Sequence, residues 1–168
     1  MKTKITIFSL VCFYLLFSGT VICETISPTE LIVDNGVYYR KYSDTPYTGS
    51  VEGQGHYYTY EKGGYIDGKK AGVWRYYHLS NQLWTKGTFK NGIADGSWEW
   101  YLSDGKPWSR GFYEDGKETG LWKFFYDNGN LRSKGIYKDG LLHGFREKYS
   151  KSGNLEIKEY WNMGKKVD

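Results

Sequence analysis

Short aromatic runs alternate with polar turns through the carboxy-terminal two thirds of the chain. In the aromatic run at 120–126, Trp122, Phe124 and Tyr126 are two residues apart and would share one face of a strand. A polar turn follows at 127–129, a second short run at 130–138, and an Asp-Gly pair at 139–140. Asn-Gly and Asp-Gly accept the positive φ of tight hairpin turns. The pattern therefore predicts a β-hairpin.

This hairpin pattern recurs with a period of 24 residues. A fixed period of this length is typical of repeat proteins, in which each unit buries its apolar side against its neighbours. The structural repeat positions are Gly68, Gly92, Gly116 and Gly140; Gly72, Gly96, Gly120 and Gly144; and Trp74, Trp98 and Trp122.

The predicted fold is all-β: an elongated antiparallel meander of repeated hairpins that forms a single, solenoid-like sheet. No stretch after residue 24 keeps a 3.6-residue apolar period, so no long helix is expected. Three segments are predicted: a signal peptide at 1–23, a lead-in with a degenerate capping repeat at 24–64, and the repeats at 65–168. The pattern weakens at both ends, where Val51 and Arg146 stand at tryptophan positions. Degenerate end units suit capping, since end strands expose unpaired backbone.

A glycine recurs in the middle of each second strand, as Gly87, Gly111 and Gly135. Glycine weakens a strand unless another group needs the space. We predict that a facing aromatic ring lies over each of these backbones, so that a larger residue would clash with it.

Two units carry the clearest motif, Tyr-x-Asp-Gly-Lys-x-x-Gly-x-Trp, at 65–77 and 113–125. This motif resembles the bacterial MORN-repeat variant, and the opening at 36–49 is similar to the lead-in of the YwqK antitoxin family. The resemblance implies an elongated sheet of hairpins and a binding role, either neutralising a partner toxin or scaffolding other proteins. It supplies no catalytic residues.

The first 23 residues predict export. They begin with Lys2 and Lys4 and continue as an uncharged apolar run, which favours a secretory signal peptide cleaved after Cys23 or, as second choice, after Thr20. Two alternatives stay open: a lipidated Cys23, or an uncleaved membrane anchor. The expected location is periplasmic, cell-surface or secreted, with membrane contact only through this segment.

Composition argues against several kinds of chemistry. The charges are mixed in sign along the chain, with a formal net charge of +4, so no nucleic-acid stripe is predicted. Cleavage of the signal peptide would remove both cysteines, Cys12 and Cys23. The spacing of His56, His78 and His143 fits no metal site, and exposed or turn-edge histidines are expected. No carboxylate pair breaks the repeat, so neither an enzyme, a metal nor a cofactor is predicted.

Three tryptophans outside the repeat series are the candidate binding residues: Trp84, Trp100 and Trp108. Trp100 shares a strand face with Trp98, which favours the core. Trp84 and Trp108 follow hairpin turns, where an indole could pack across strands or bind a partner. The function predicted is a protein-binding or scaffold module of the cell envelope, possibly an antitoxin- or immunity-like one. The alternative is a carbohydrate- or cell-wall-binding repeat protein.

Overall fold

A computed structural model describes residues 24–55 and 59–167, and the predicted signal peptide lies outside them. Fourteen strands occur in these residues: β1 Thr25–Ile26, β2 Leu31–Asp34, β3 Val37–Arg40, β4 Gly49–Gln54, β5 Tyr60–Ile66, β6 Lys69–Tyr77, β7 Leu83–Lys90, β8 Ile93–Tyr101, β9 Pro107–Glu114, β10 Lys117–Phe125, β11 Leu131–Lys138, β12 Leu141–Tyr149, β13 Leu155–Asn162 and β14 Lys165–Val167.

Twelve of these strands form one open sheet in which β4 to β14 follow one another in chain order. All pairs from β4 onward are antiparallel, which confirms the predicted all-β meander of hairpins. The amino-terminal end adds two features that the repeat did not predict. Strand β1 pairs with β4 in parallel, and β2 and β3 form a separate two-stranded sheet.

The one helical element described is a 3₁₀ turn at Pro28–Glu30. Ser27 accepts from the Thr29 N–H and Glu30 accepts from the Ser27 N–H, which makes a capping box. The Ser-x-x-Glu motif is present in the sequence, but a single helical turn is too short to show a 3.6-residue apolar period. No helix in 24–55 or 59–167 is long and apolar enough to span a membrane.

The hairpins reverse along two rims of the sheet. The short-turn rim has two-residue turns at 67–68, 91–92, 115–116, 139–140 and 163–164, with positive φ at both residues. The glycine N–H of each turn donates to a carbonyl of the preceding unit, as Gly92 does to Lys70 at 2.8 Å and Gly116 to Ala94 at 2.9 Å. These bonds join successive turns across the sheet. The opposite rim, the loop rim, has turns at 78–82, 102–106, 126–130 and 150–154.

Buried tryptophans form the core on one face of the sheet, which we call the aromatic face. Trp74, Trp98 and Trp122 are all buried, and Trp74 is 0 % exposed. A Cβ built on Gly111 would lie 2.2 Å from the Trp122 ring, and one on Gly87 would lie 2.1 Å from Trp98. The predicted ring-over-glycine packing is therefore confirmed at these two positions.

The ring-over-glycine packing starts one unit before the first predicted position, Gly87. It also stops one unit before the last predicted position, Gly135. A Cβ on Gly63 would lie 2.2 Å from the Trp74 ring, and this glycine precedes Gly87 by the same 24 residues. At Gly135 the prediction of a facing ring is wrong, because a Cβ there would meet the Leu142 methyl at 2.8 Å instead. The residue opposite Gly135 is Arg146, so the fourth unit has no indole to place over it.

Candidate functional site

Aromatic rings on the aromatic face form a continuous ladder across the sheet. Edge-to-face contacts link Tyr65, Trp74, Phe89, Trp98, Tyr113, Trp122 and Tyr137, with successive centroids 5.1 to 6.1 Å apart. This is the favoured geometry for aromatic pairs. Burial raises the pKa of Tyr113 to about 12, so the ladder is uncharged at neutral pH. It is a rigid platform whose position is set by the repeat.

Each buried indole N–H is satisfied by a backbone carbonyl. Trp74 donates to Gly64 at 3.1 Å, Trp98 to Thr88 at 3.3 Å, and Trp122 to Phe112 at 3.2 Å. Each accepting residue follows a strand glycine. A register shift at these glycines leaves the carbonyls available. The glycine thus makes room for the ring, and its neighbour accepts the N–H.

Trp100 lies within this ladder. Its ring stacks on Trp98 at 5.6 Å and reaches Trp122 at 5.6 Å and Tyr113 at 6.3 Å. The side chain is half-buried. Trp100 thus offers a partly accessible indole edge in the middle of the aromatic face.

Trp84 and Trp108 occupy equivalent β-bulges, 24 residues apart, next to the loop rim. Both are 42 % exposed. The Trp108 ring meets Phe124 edge-on at 6.5 Å, and Trp84 lies 6.0 Å from the His78 ring. The structure therefore connects Trp108 to the ladder through Phe124 and leaves Trp84 at its border.

A lysine on the aromatic face was not found from the sequence. Lys70 places its Nζ 4.0 Å from the Trp74 centroid and donates to the Tyr76 hydroxyl at 2.8 Å. Burial lowers the pKa of Lys70 and raises that of Tyr76. The corresponding residues in the later units are Ala94, Glu118 and Leu142, so the 24-residue pattern gave no signal.

The opposite face of the sheet bears a row of charged residues, one from each strand from β4 to β13. Each stands directly opposite the next in the strand registers. We call it the charge row: Glu52, Lys62, Arg75, Lys86, Glu99, Arg110, Lys123, Lys134, Glu147 and Lys158. The sequence contained a signal for this row, because every second member is basic and these basic members recur at 24 residues from Lys62 onward.

Glu147 has the most perturbed carboxylate of the row. It accepts hydrogen bonds from Lys134 at 2.8 Å, from the Tyr149 hydroxyl at 2.6 Å and from Lys158 at 3.2 Å. These bonds, that of Lys134 first, hold its pKa down to about 2. Similar pairs join Glu52 to Lys62 at 2.6 Å and Glu99 to Lys86 at 3.3 Å. The carboxylates of the row thus stay ionised and balance part of its positive charge.

The described residues show no group of three His, Cys, Asp or Glu side chains that could hold a metal ion. His78 stands at a turn edge, whereas His143 lies within β12, and both are half-buried. His78 Nε2 and His143 Nδ1 are buried without a partner. His56 lies outside the described residues. A hollow of about 200 Å³, lined in part by Arg110, is open to solvent on the charged side.

Comparison with known families agrees with this architecture. Residues 70–91, 94–117 and 118–139 each match the family described as MORN repeat variant. The three matches correspond to the hairpins β6–β7, β8–β9 and β10–β11. No curated protein matches the chain. MORN repeats are generally binding or scaffold modules, and their all-β fold is typical of non-catalytic proteins. Residues 70–91, 94–117 and 118–139 of this chain are therefore similar in sequence to MORN repeats, with one hairpin in each match.

Proposed function

We propose that this chain is a non-catalytic, protein-binding module of the cell envelope that acts as a scaffold or as an antitoxin-like immunity protein. The observation that carries the proposal is the pair of indoles at Trp84 and Trp108. They repeat at 24 residues beside the aromatic face, and each is 42 % exposed. Tryptophan, together with tyrosine and arginine, is enriched among the residues that dominate protein–protein binding energy.

The geometry of the sheet supports a partner that contacts several units at once. Trp100, Trp122, Phe124 and Trp108 form a connected series of rings, so a partner touching Trp108 would rest on a rigid support. A preorganised surface loses little conformational entropy on binding. We propose that a partner protein inserts apolar side chains beside these rings.

Affinity capture tests this proposal. The full chain is immobilised, extract of the producing cells is passed over it, and retained proteins are identified by mass spectrometry. We expect one protein at near-equal stoichiometry. Its retention should fall at least about tenfold with Trp84→Ala/Trp108→Ala, because hot-spot tryptophans contribute about 2 kcal/mol or more each. Phe112→Ala is the matched control, because it removes a ring that is 53 % exposed but lies on the charged face. The proposal would be contradicted if the unmodified chain, the double tryptophan variant and Phe112→Ala all retained the same amount of the partner.

A cell-wall glycan is the second candidate, and the exposed indoles favour it as well, since flat rings stack on sugar rings. In this case the protein would sediment with purified cell wall, and the double tryptophan variant would stay in the supernatant. The envelope location rests on the proposed signal peptide. Amino-terminal sequencing of the mature protein tests it, with cleavage expected after Cys23 or Thr20.

A further inference from the structure

The charge row contains an excess of positive charge that the protein does not neutralise. It has seven cations and three carboxylates, so its net charge equals the formal +4 of the entire chain. Arg75, Arg110 and Lys123 form no ion pair with a carboxylate of the described residues. Arg110 still has Glu99 opposite it, and the attraction between them helps to lower the pKa of Glu99. Arg75 and Lys123 have only cations opposite them in the neighbouring strands.

Like charges face each other directly along this line. Arg75 stands opposite Lys86, and Lys123 stands between Arg110 and Lys134. Like charges directly opposite one another destabilise a sheet. Their repetition in two separate groups suggests a negatively charged ligand that would relieve the repulsion.

The row fits a linear ligand better than a compact one. Neighbouring strands lie about 4.8 Å apart, so its ten strands extend over about 43 Å. Sheets ordinarily twist by about 20° per strand, which turns such a row through about half a circle. A flexible polymer can follow this path, whereas a flat bilayer or a rigid duplex would meet only part of it.

The surroundings of the row distinguish among flexible polyanions. Its own cations lie over the neighbouring rings: Arg110 over Phe125 at 5.4 Å and Lys158 over Phe145 at 4.7 Å. A cation thus covers one face of each of these two rings, which reduces the ring surface open to the base stacking that single-stranded nucleic acids use. Hydroxyl groups of Thr88 and Ser97 flank the row instead, two positions from its members on the same face. Cations beside hydroxyl groups suit a ligand that itself alternates carboxylates and hydroxyls.

We propose that the charge row binds a linear acidic polysaccharide with one carboxylate on each sugar ring. The guanidinium groups of Arg75 and Arg110 would each hold one carboxylate through two parallel hydrogen bonds, and Lys123 would pair with a third. The site lies on the face opposite Trp98 and Trp122. It is therefore independent of the indoles in the proposed function, and either proposal can fail alone.

Calorimetric titration of the full chain with polygalacturonate tests the proposal, with neutral dextran as the reference polymer. We expect binding to polygalacturonate that weakens as salt rises, and none to dextran. Arg110→Gln/Lys123→Gln should lower the affinity about tenfold, as the loss of two exposed ion pairs allows. The control variant, Lys90→Gln/Lys138→Gln, removes the same amount of charge at the ends of β7 and β11, away from the row. It should change the affinity for polygalacturonate less than about twofold.

Arg75→Gln is an independent variant, because Arg75 and Lys86 belong to a different group of cations from Arg110, Lys123 and Lys134. Thermal melting shows that each variant is folded. An unchanged affinity in folded Arg110→Gln/Lys123→Gln would overturn the proposal. So would an equal loss in Lys90→Gln/Lys138→Gln, which would indicate net charge alone. Tighter binding of polyglutamate, polyphosphate, single-stranded RNA or anionic vesicles than of polygalacturonate would overturn the assignment to a polysaccharide.

Discussion

At the scale of single residues, the fold depends on strand glycines on which an aromatic ring packs so closely that no side chain would fit. Gly63, Gly87 and Gly111 leave space for an indole, whereas Gly135 faces a leucine methyl. Backbone atoms beside the glycine and a buried ring cannot move readily, but the end of a leucine side chain can. The same substitution should therefore have different costs at equivalent positions of the repeat.

We predict that Gly111→Ala destabilises the protein by about 1–3 kcal/mol, the usual range for overpacking a core. Gly135→Ala is the matched control and should cost clearly less, because Leu142 can rotate away. Urea unfolding of both variants measures the difference. Equal losses would show that glycine itself, and not the Trp122 ring, is what these positions require.

Glu147 predicts a specific dependence of stability on pH. Its pKa falls from an ordinary value of 4.5 to about 2 in the folded protein. The unfolded chain therefore binds this proton more readily, and the stabilisation is complete above about pH 4.5 and lost as pH falls toward 2. Carbon-detected NMR titration should give a pKa near 2 in the native chain. In Lys134→Met the pKa should rise toward 4.5, and an unchanged value would contradict the role of Lys134.

At the scale of elements, the two-residue turns set the register of the hairpins. Four turns of the short-turn rim, and the turn between β2 and β3, begin with Asn or Asp at a φ near +50°: Asp67, Asn91, Asp115 and Asp139, and Asn35. The last turn of the short-turn rim begins with Met163 at a φ of 46°. Asn and Asp tolerate this left-handed conformation much better than methionine does. Among the two-residue turns of the described residues, the strained one is therefore that of the final hairpin.

We expect Met163→Asn to stabilise the last hairpin by about 1 kcal/mol, the approximate cost of a left-handed residue with a long side chain. Hydrogen exchange of the Lys165–Val167 amides should slow several-fold. Asp139→Met is the reciprocal test and should destabilise the preceding hairpin by a similar amount. Effects of the same sign in both variants would mean that turn conformation is not the cause.

The sequence predicted these elements well because their signals are local. Turn residues with positive φ and alternating apolar side chains are visible within a single hairpin, and repetition confirmed them. The exchange of a ring for Leu142 at Gly135 was not predictable in this way. Arg146 stands opposite Gly135, where the other units have tryptophan. The tertiary structure decides which side chain of that strand covers the glycine instead. Likewise, the parallel pairing of β1 with β4 joins segments that share no repeat pattern.

At the scale of the whole molecule, each unit contacts chiefly its neighbours in the chain. Such proteins have stabilities that are approximately the sum of their units and interfaces. The ladder and the glycine-to-carbonyl bonds on the short-turn rim repeat at 24 residues, so any internal unit should be replaceable by the next. The sheet should therefore tolerate the loss of a whole unit but not of half a unit.

Deletion of residues 92–115 should leave a folded, cooperative sheet. The deletion joins Asn91 to Gly116 in an Asn-Gly turn, and Trp122 takes the place of Trp98 opposite Gly87. Circular dichroism should show retained β structure, and the urea m-value should fall because less surface is buried. Deletion of residues 104–115, the control, removes a single strand, so every later strand would start at the opposite rim and run in the opposite direction. We expect that protein to unfold. Equal stability of the two deletion variants would contradict the view that the stability of this protein is a sum over repeat units.

The sequence by itself determined the period, the turns, the strand direction and the buried tryptophans, since each follows from local φ preferences and alternation. Only the tertiary structure decided which residues of different strands stand opposite one another. It placed Lys70 over Trp74, linked Trp108 to the ladder through Phe124, and aligned Arg75, Arg110 and Lys123 in one row. The physical reason is register. A β-bulge or a two-residue register shift changes the residue that faces each side chain, and those shifts are fixed by packing across strands.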